Sequence, residues 1–252
     1  MKIIPLGVGG AFTKANYHNN YIMQLGEKLL LIDAGTTLRS SLTEAGYQYT
    51  DIDYVYISHL HFDHVGGLEE MILQRYWNFK DGQHSPLKTK IIVHEKLLHS
   101  LRSLLSHSLG NQGNTVEDFC QIITPKNEGT MFIDHYKFSI FDTTNFHQNG
   151  LISSGFKLNW NNANLVYTSD IKQLEAANIV AQVDEETIAI FQDVSFTTNG
   201  VHATLTEVLN YYPQETHKLI YAMHYNDNVD DFLQEVQQAG IQLVQKLQLI
   251  EF

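Results

Sequence analysis

The chain has 252 residues, of which 43% are hydrophobic and 17% are charged, and this composition excludes an intrinsically disordered protein. Its 16 basic residues against 28 acidic ones leave a formal net charge of −12, which argues against a protein that coats nucleic acid through a basic surface. The single cysteine, Cys120, excludes an intrachain disulfide scaffold and a zinc site made of several cysteines.

The sequence gives no indication of a second domain, a signal peptide or a membrane span. Its start, MKIIPLGVGG, lacks the charged and apolar regions of a signal peptide, and no apolar run approaches about 18 residues, so neither export nor a membrane span is expected. The sequence also shows no linker, short repeat or low-complexity tract. We therefore expect a cytoplasmic protein with a single domain over residues 1–252.

Short apolar runs alternate with amphipathic stretches along the chain, and this pattern predicts an α/β fold whose sheets carry helices outside. The predicted strands are Lys2–Val8, Tyr21–Gln24, Leu29–Asp33, Tyr54–Ser58, Lys90–His94, Tyr136–Thr143, Gly155–Trp160, Leu165–Thr168, Ile188–Val194 and Lys218–Ala222, with short strands at the end. The predicted helices run from Thr36 or Thr37 to Ala45, with Gly46 as the stop, and over Leu68–Phe79, Glu95–Leu109, Ile171–Ala181, Leu205–Tyr212 and Val229–Ala239.

Several metal-ligand side chains follow the predicted strand Tyr54–Ser58. The segment HLHFDH, residues 59–64, places three imidazoles and one carboxylate within six residues, and Gly66 and Gly67 then permit a tight backbone reversal. Imidazole and carboxylate are the usual ligands of zinc and similar cations where cysteine is absent. A solvated loop with chance histidines is the alternative, but this density of ligands directly after a strand favours a metal site.

The same segment resembles the H-x-H-x-D-H signature of the metallo-β-lactamase superfamily, whose fold is a four-layer αβ/βα sandwich with one or two metal ions at one edge. The resemblance implies three later ligands, His147, Asp170 and His224, each of which follows a predicted strand. Singly these matches carry little weight, because a strand-end aspartate is most often a turn or cap residue. The segment LIDAG, residues 31–35, resembles the family's early aspartate motif, and we expect Asp33 to support a ligand rather than to bind metal.

The resemblance implies two divalent cations, with Zn²⁺ as the first choice and Mn²⁺ or iron compatible with the same ligand types. A pair of cations can share a hydroxide that attacks the substrate, and Asp63 is expected to orient it. In this scheme His59, His61 and His147 hold one cation, Asp63, His64 and His224 hold the other, and Asp170 bridges both.

A second pair of polar residues points to the reaction. Asp193 ends a predicted strand, and His202 follows in the segment GVHAT, residues 200–204. Together they resemble the acidic residue and H-x-T element of the ribonuclease Z-like phosphodiesterase branch. His202, held by Asp193, would protonate a departing alkoxide, which is a poor leaving group. The structural alternative is a histidine that caps or precedes a helix beside a loop carboxylate.

The substrate is expected to be small. Only 22 residues separate His147 from Asp170, which leaves no room for the long arm with which many tRNA-processing enzymes of this branch grip tRNA. The resemblance therefore favours a 3′,5′-cyclic nucleotide over a large nucleic acid, and it also implies a homodimer. The segment 73–110 is expected to form a lid or a dimer surface, in which Tyr76, Trp77 and Phe79 either stack on a base or belong to the core.

Two other functions stay open from the sequence. A lactone or thioester hydrolase would use the same cations without His202 as an acid, and a non-catalytic sensor would bind a nucleotide or a metal without turnover. The complete set of ligand positions argues against the sensor. His18, near the chain start, is a further and weaker candidate on a substrate-side loop.

Overall fold

Two seven-stranded sheets lie face to face, and helices cover the outer face of each. The computed structural model describes the backbone of residues 1–252 and the side chains of residues 1–126 and 129–252. Within this described part, no helix is both long and apolar enough to cross a membrane.

The strands, in chain order, are β1 (Lys2–Pro5), β2 (Tyr21–Leu25), β3 (Lys28–Ile32), β4 (Tyr54–Tyr56), β5 (Phe79–Lys80), β6 (Gln83–His84), β7 (Thr89–Ile92), β8 (Cys120–Ile123), β9 (Thr130–Ile133), β10 (Tyr136–Asp142), β11 (Ser154–Trp160), β12 (Ala163–Tyr167), β13 (Thr187–Asp193), β14 (Ile220–Met223), β15 (Gln242–Leu243) and β16 (Ile250–Glu251). The α-helices are α1 (Leu38–Glu44), α2 (Phe62–Val65), α3 (Leu68–Tyr76), α4 (Leu98–Leu109), α5 (Val116–Phe119), α6 (Lys126–Gly129), α7 (Leu174–Ala177), α8 (Leu205–Tyr211) and α9 (Leu233–Ala239). Short 3₁₀ helices cover Tyr49–Asp51, Glu95–Leu97, Ile179–Gln182, Gln214–Leu219 and Val229–Phe232.

Each sheet is antiparallel on one side and parallel on the other. The first has the order β16-β1-β2-β3-β4-β7-β8, and its strands from β3 to β8 pair in parallel. The second has the order β15-β14-β13-β12-β11-β10-β9, and its strands from β12 to β15 pair in parallel. Parallel strands that neighbour one another end at the same edge of a sheet, so the loops that follow them are brought together.

Three apolar clusters separate the four layers. The central cluster joins the two sheets, where Tyr56 of the first sheet packs edge-on against Phe138 and Phe156 of the second at 5.5 and 5.2 Å between ring centroids. A second cluster lies between the first sheet and helices α1, α3 and α4, and a third lies between the second sheet and helices α7, α8 and α9. This arrangement confirms the predicted four-layer αβ/βα sandwich.

Local turn chemistry agrees with the sequence at two points. Asn161 and Asn162, with φ of 43° and 59°, form the tight turn between β11 and β12, because asparagine tolerates the left-handed region better than most residues. Gly46, with φ of 80°, follows α1 and ends it as predicted.

Several predicted elements differ from the structure. The helix predicted over Ile171–Ala181 is only α7 and a 3₁₀ turn, because Asn178 adopts a left-handed φ of 49° and breaks the helical repeat. The helix predicted over Leu68–Phe79 ends at Tyr76, and its last residues enter the small β5–β6 hairpin. Strands β8 and β9 were not predicted, since four-residue apolar runs such as CQII and TMFI carry too little periodicity.

Candidate active site

The residues singled out from the sequence meet at one edge of the two sheets. Strands β4, β12, β13 and β14 belong to the parallel halves of the sheets, and the loops beyond their carboxyl ends converge there with the loop after β10. His59, His61, Asp63 and His64 follow β4, His147 follows β10, Asp170 follows β12, Asp193 ends β13, and His224 follows β14.

One group of side chains comprises three histidines and a shared carboxylate. The ligand atoms of His59, His61, His147 and Asp170 all lie within 4.8 Å of one another. The Nε2 atoms of His59 and His147 lie 3.1 and 3.4 Å from His61 Nδ1. Zinc–nitrogen bonds of about 2.0–2.1 Å in a tetrahedron separate the nitrogens by roughly 3.3 Å, so these spacings suit one cation.

A second group lies on the other side of the same carboxylate. It contains Asp63, His64, Asp170 and His224, again with ligand atoms within 4.8 Å. Oδ2 of Asp170 lies 3.3 Å from Nε2 of both His64 and His224. The same oxygen lies 3.8 and 3.7 Å from Nε2 of His59 and His147, which places it between the two groups.

The donor atoms fit divalent cations. Within the described residues, Asp63 Oδ1, His64 Nε2 and Asp170 Oδ1 are buried without a hydrogen-bond partner, and leaving such a group unsatisfied costs about 1–3 kcal/mol. All three residues belong to the second group, and a cation there would satisfy His64 Nε2 and the Asp170 carboxylate while leaving Asp63 Oδ1 available to a water molecule. Of the seven candidate ligands only His61 is partly exposed, so substrate can approach from its side.

The electrostatics of the two groups support the same conclusion. Burial lowers the pKa of His59 well below its usual value, so its ring stays neutral and keeps a lone pair for a cation. Burial alone would also lower the pKa of His224, but Asp170, Asp193 and Asp63 raise it to about 10. The carboxylates around His224 therefore favour positive charge in this part of the site, and divalent cations can provide it.

Asp33 braces the HLHFDH loop from the end of β3. It accepts hydrogen bonds from the backbone N–H and hydroxyl of Ser58, both at 2.8 Å, and from His64 Nδ1 at 2.7 Å. The bond to Nδ1 leaves Nε2 of His64 facing the cations. This geometry suits the supporting role predicted for Asp33.

Sequence reasoning missed two features of the site. The carbonyl oxygen of Val201 accepts a hydrogen bond from His147 Nδ1 at 2.7 Å, and a backbone group of this kind leaves no trace in the sequence. Asp33, Ser169 and His224 adopt φ of 57°, 57° and 60°, a region that costs a non-glycine residue of order 1–3 kcal/mol. The residue types at these positions did not predict the left-handed conformation, with which the chain turns sharply at the strand ends.

His202 and Asp193 meet beside the two groups. His202 Nδ1 donates to Asp193 Oδ2 at 2.7 Å, and the same oxygen accepts from the backbone N–H of Ile171 at 2.9 Å. The ring of His202 lies 4.8 Å, between centroids, from both His147 and His224. Burial opposes protonation of His202, but the charge of Asp193 outweighs it and raises the pKa of the imidazole.

The other histidines do not join this site. His18 is buried, and its ring nitrogens contact the carbonyl of Ala11 at 3.2 Å and the hydroxyl of Thr36 at 3.3 Å, so both nitrogens are already engaged within the protein. In the described part of the chain, the groups able to hold a cation contain none of the remaining histidines.

The chain has the metallo-β-lactamase fold that the sequence predicted, and two histidine–aspartate groups suited to divalent cations lie at the edge of its sheets. The metallo-β-lactamase fold protein YhfI from Bacillus subtilis superposes with a TM-score of 0.71, at 16% identity, over 100% of this chain and 98% of its own. A profile of the family described as "Anti-Pycsar protein Apyc1" matches residues 1–250, and the chain belongs to this family.

Two relatives in this family illustrate the extent of the likeness. The Anti-Pycsar protein Apyc1 of Paenibacillus sp. (strain J14) is 31% identical over 238 residues, which cover 92% of each chain. The protein of the same name from Bacillus phage BSP38 is 28% identical over 237 residues, which cover 92% of this chain and 91% of its own.

Proposed function

We propose that this protein is a binuclear, metal-dependent phosphodiesterase that hydrolyses a 3′,5′-cyclic nucleotide. The prediction of a metal-dependent hydrolase is confirmed by the family to which the chain belongs, and the family also supports the phosphodiesterase reaction. The observation that carries the proposal is Asp170 Oδ2, which lies between two ligand groups with the His202–Asp193 pair beside them.

One cation would be held by His59, His61 and His147 and the other by Asp63, His64 and His224, with Asp170 shared. Zn²⁺ is the proposed metal because imidazole supplies most of the ligands, and Mn²⁺ and iron are compatible with the same groups. When bound, two such cations polarise the phosphodiester and lower the pKa of water.

The chain's own groups then act around the substrate. Asp63 Oδ1, buried and without a hydrogen-bond partner in the described structure, is free to accept a hydrogen bond from the attacking water and to orient it. His61 lies at the open side, where the phosphate enters. The closely packed carboxylates and imidazoles exclude bulk water from the reacting atoms.

His202 would supply the proton that the departing sugar oxygen needs. Because Nδ1 donates to Asp193, Nε2 is the nitrogen that faces away from Asp193 and can meet the substrate. The raised pKa keeps the imidazole protonated closer to neutral pH, as a general acid requires. A lactone or thioester hydrolase has less use for such a pair, which favours the phosphodiester reaction.

The test compares three substrate classes with the zinc-loaded and the manganese-loaded protein. We expect hydrolysis of 3′,5′-cyclic nucleotides and of bis(p-nitrophenyl) phosphate, and no turnover of an acyl-homoserine lactone. Turnover of the lactone alone would overturn the proposal in favour of the lactonase. Tight binding of a cyclic nucleotide without any product would instead identify a sensor.

We further propose that the protein forms a homodimer through the β5–β6 hairpin and the adjoining end of α3. Trp77 and Phe79 are 57% and 61% exposed there, and they pack against His84 of the same hairpin. The mass in solution, measured by light scattering, should be twice that of the 28.8 kDa chain and should fall to the chain mass when both aromatics are replaced by serine. A wild-type mass of one chain would contradict this.

A further inference from the structure

Two exposed phenylalanines stand together beside the segment that carries four of the candidate ligands. Phe12 is 87% exposed and Phe62 is 46% exposed, and their ring centroids lie 6.1 Å apart with the planes tilted by 46°. Phe62 lies between His61 and Asp63 in the HLHFDH segment, so its position is tied directly to the two ligand groups. The pair is therefore an exposed aromatic surface, and one of its rings belongs to the residue that directly follows the partly exposed candidate ligand His61.

The turn that carries Phe12 is held firmly against the site. Its ends are tied by the backbone N–H of Gly10, which donates to the carbonyl of Tyr225 at 3.1 Å, and by that of Thr13, which donates to Gly10 at 3.1 Å. A Cβ atom at Gly10 would lie 3.3 Å from His224 Cε1, so the turn packs on a candidate ligand.

A carboxylate from the loop after β14 fastens the same turn. Asp227 accepts from the backbone N–H of Lys14 at 2.6 Å, from Asn16 Nδ2 at 3.1 Å and from the hydroxyl of Thr13. His18 joins the turn to the second ring, since it contacts the carbonyl of Ala11 and packs edge-on against Phe62 at 5.6 Å.

Packing of the fold does not explain the two rings. Neither belongs to the three apolar clusters of the described structure, and the ring of Phe12 is almost fully in water. Isolated exposed apolar residues are ordinary, but an adjacent pair on a braced rim beside reacting groups marks a place for a ligand. Flat aromatic faces of this kind bind bases by stacking.

We propose that Phe12 and Phe62 form the platform on which the nucleobase of the substrate stacks. This inference rests on the proposed function and adds to it the residues that recognise the part of the substrate remote from the reacting phosphate. The aromatics suggested from the sequence lie elsewhere: α3 starts beside the histidines, but Trp77 follows its far end, about 13 Å along the helix axis. Tyr76 there packs against Phe119 at 4.5 Å.

The first experiment compares a cyclic nucleotide with a substrate that has no base. Phe12→Ala and Phe62→Ala should each raise KM for 3′,5′-cyclic AMP roughly tenfold, the size expected for loss of one base–aromatic contact, with little change in kcat. Neither should change the kinetics on methyl riboside 3′,5′-cyclic phosphate. Phe12→Tyr and Phe62→Tyr should retain the wild-type KM, because they keep the aromatic face.

A matched control and a binding measurement complete the test. Phe132→Ala removes a ring that is 65% exposed on the edge strand β9, and it should leave both substrates unaffected. By calorimetry, wild-type protein should bind AMP more tightly than ribose 5-phosphate, and the alanine variants should lose this preference. Metal content and solution mass are measured for every variant.

The outcomes separate the platform from the reaction. Equal losses on both substrates, lowered metal content or a changed mass would overturn the platform, because the rings would then support the ligand loop or an interface between chains. Unchanged kinetics on cyclic AMP would overturn it as well. If the wild-type protein hydrolyses neither substrate, the proposed function fails. The calorimetry then still tests the platform, because only a stacking platform would make wild-type protein prefer AMP to ribose 5-phosphate and make the alanine variants lose that preference.

Discussion

The two halves of the active site are assembled in different ways. On the side of the first sheet, His59, His61, Asp63 and His64 come from one six-residue segment after β4 that runs into α2, and Asp33 braces this segment from the neighbouring strand end. On the side of the second sheet, Asp170, Asp193 and His224 come from the ends of three separate strands. The first half is set up locally, whereas the second exists only once β12, β13 and β14 have paired.

Asp170 connects the two halves of the site, because its carboxylate contacts histidines from both. Its Oδ2 atom reaches His64 of the first sheet and His224 of the second at the same distance of 3.3 Å. Burial alone would raise the pKa of Asp170, but the surrounding histidines, His224 and His64 foremost, hold it well below its usual range. The carboxylate is thus ionised and available to both halves.

The largest effect is expected from Asp170→Asn. An amide in this place removes the charge that both ligand groups share, so we expect the metal content to fall and hydrolysis of cyclic nucleotides to drop at least about a thousandfold. Metal analysis and steady-state kinetics measure the two losses. Asp231→Asn, at an exposed aspartate, is the control. Full metal content with normal turnover in Asp170→Asn would show that the halves work independently.

His202→Ala tests the half built from the second sheet. Loss of a general acid typically costs about 10²–10⁴-fold, and we expect a loss of that size on 3′,5′-cyclic AMP, whose leaving alkoxide needs a proton. Bis(p-nitrophenyl) phosphate should be affected much less, because p-nitrophenolate leaves without one. The measurement is kcat on both substrates. Similar losses on the two would refute the proton-donor role of His202.

Asp33→Asn tests the brace of the first half. Changes in the groups that hold metal ligands typically cost 10–100-fold in metal affinity, and a loss in that range is expected from competition with a chelator. Because Asp33 contacts His64 and not the second-sheet ligands, one of the two cations should be lost before the other. Simultaneous loss of both would mean that the loop does not act as a separate half.

The smallest effect is expected at the far end of the second sheet. There Asp184 contacts Lys157 of β11 at 2.5 Å and Asn164 of β12 at 2.8 Å. Burial would raise the pKa of Asp184, but these two residues lower it to about 2. A carboxylate whose pKa is lowered by folding stabilises the folded state at any pH above its pKa in the unfolded chain, which is near 3.9. This contribution is lost as the pH falls through the pKa in the folded state, about 2.

Asp184→Asn should therefore reduce the free energy of unfolding at pH 7 by at most about 1 kcal/mol, because the carboxylate is half exposed and screened by water. The difference from wild type should shrink between pH 4 and pH 2, while kcat at pH 7 stays unchanged. Urea unfolding over this pH range measures it. A difference that does not vary with pH would exclude the ion pair as its cause.

The sequence by itself determined the class of the fold and the region of the site. Strands such as Tyr54–Tyr56 and Thr187–Asp193 are apolar enough to be recognised locally, and the HLHFDH segment carries four candidate ligands within six residues. A contiguous motif needs no tertiary contact to be visible. The later residues His147, Asp170 and His224 were predicted only because they occur in the same order as the ligands of the family that the sequence resembles. Taken alone, a single histidine or aspartate after a strand does not indicate a metal ligand.

Tertiary structure alone decided the remainder. Asp33, Ser169 and His224 adopt a left-handed backbone at the sheet edge, and this conformation costs a non-glycine residue energy that contacts elsewhere in the folded chain must offset. The approach of Phe12 to Phe62 depends on a turn fastened across more than two hundred residues by Asp227, a contact that no local pattern encodes. Short-range preferences thus select the strands and the motif, whereas the meeting of distant loops is set by how the two sheets pack.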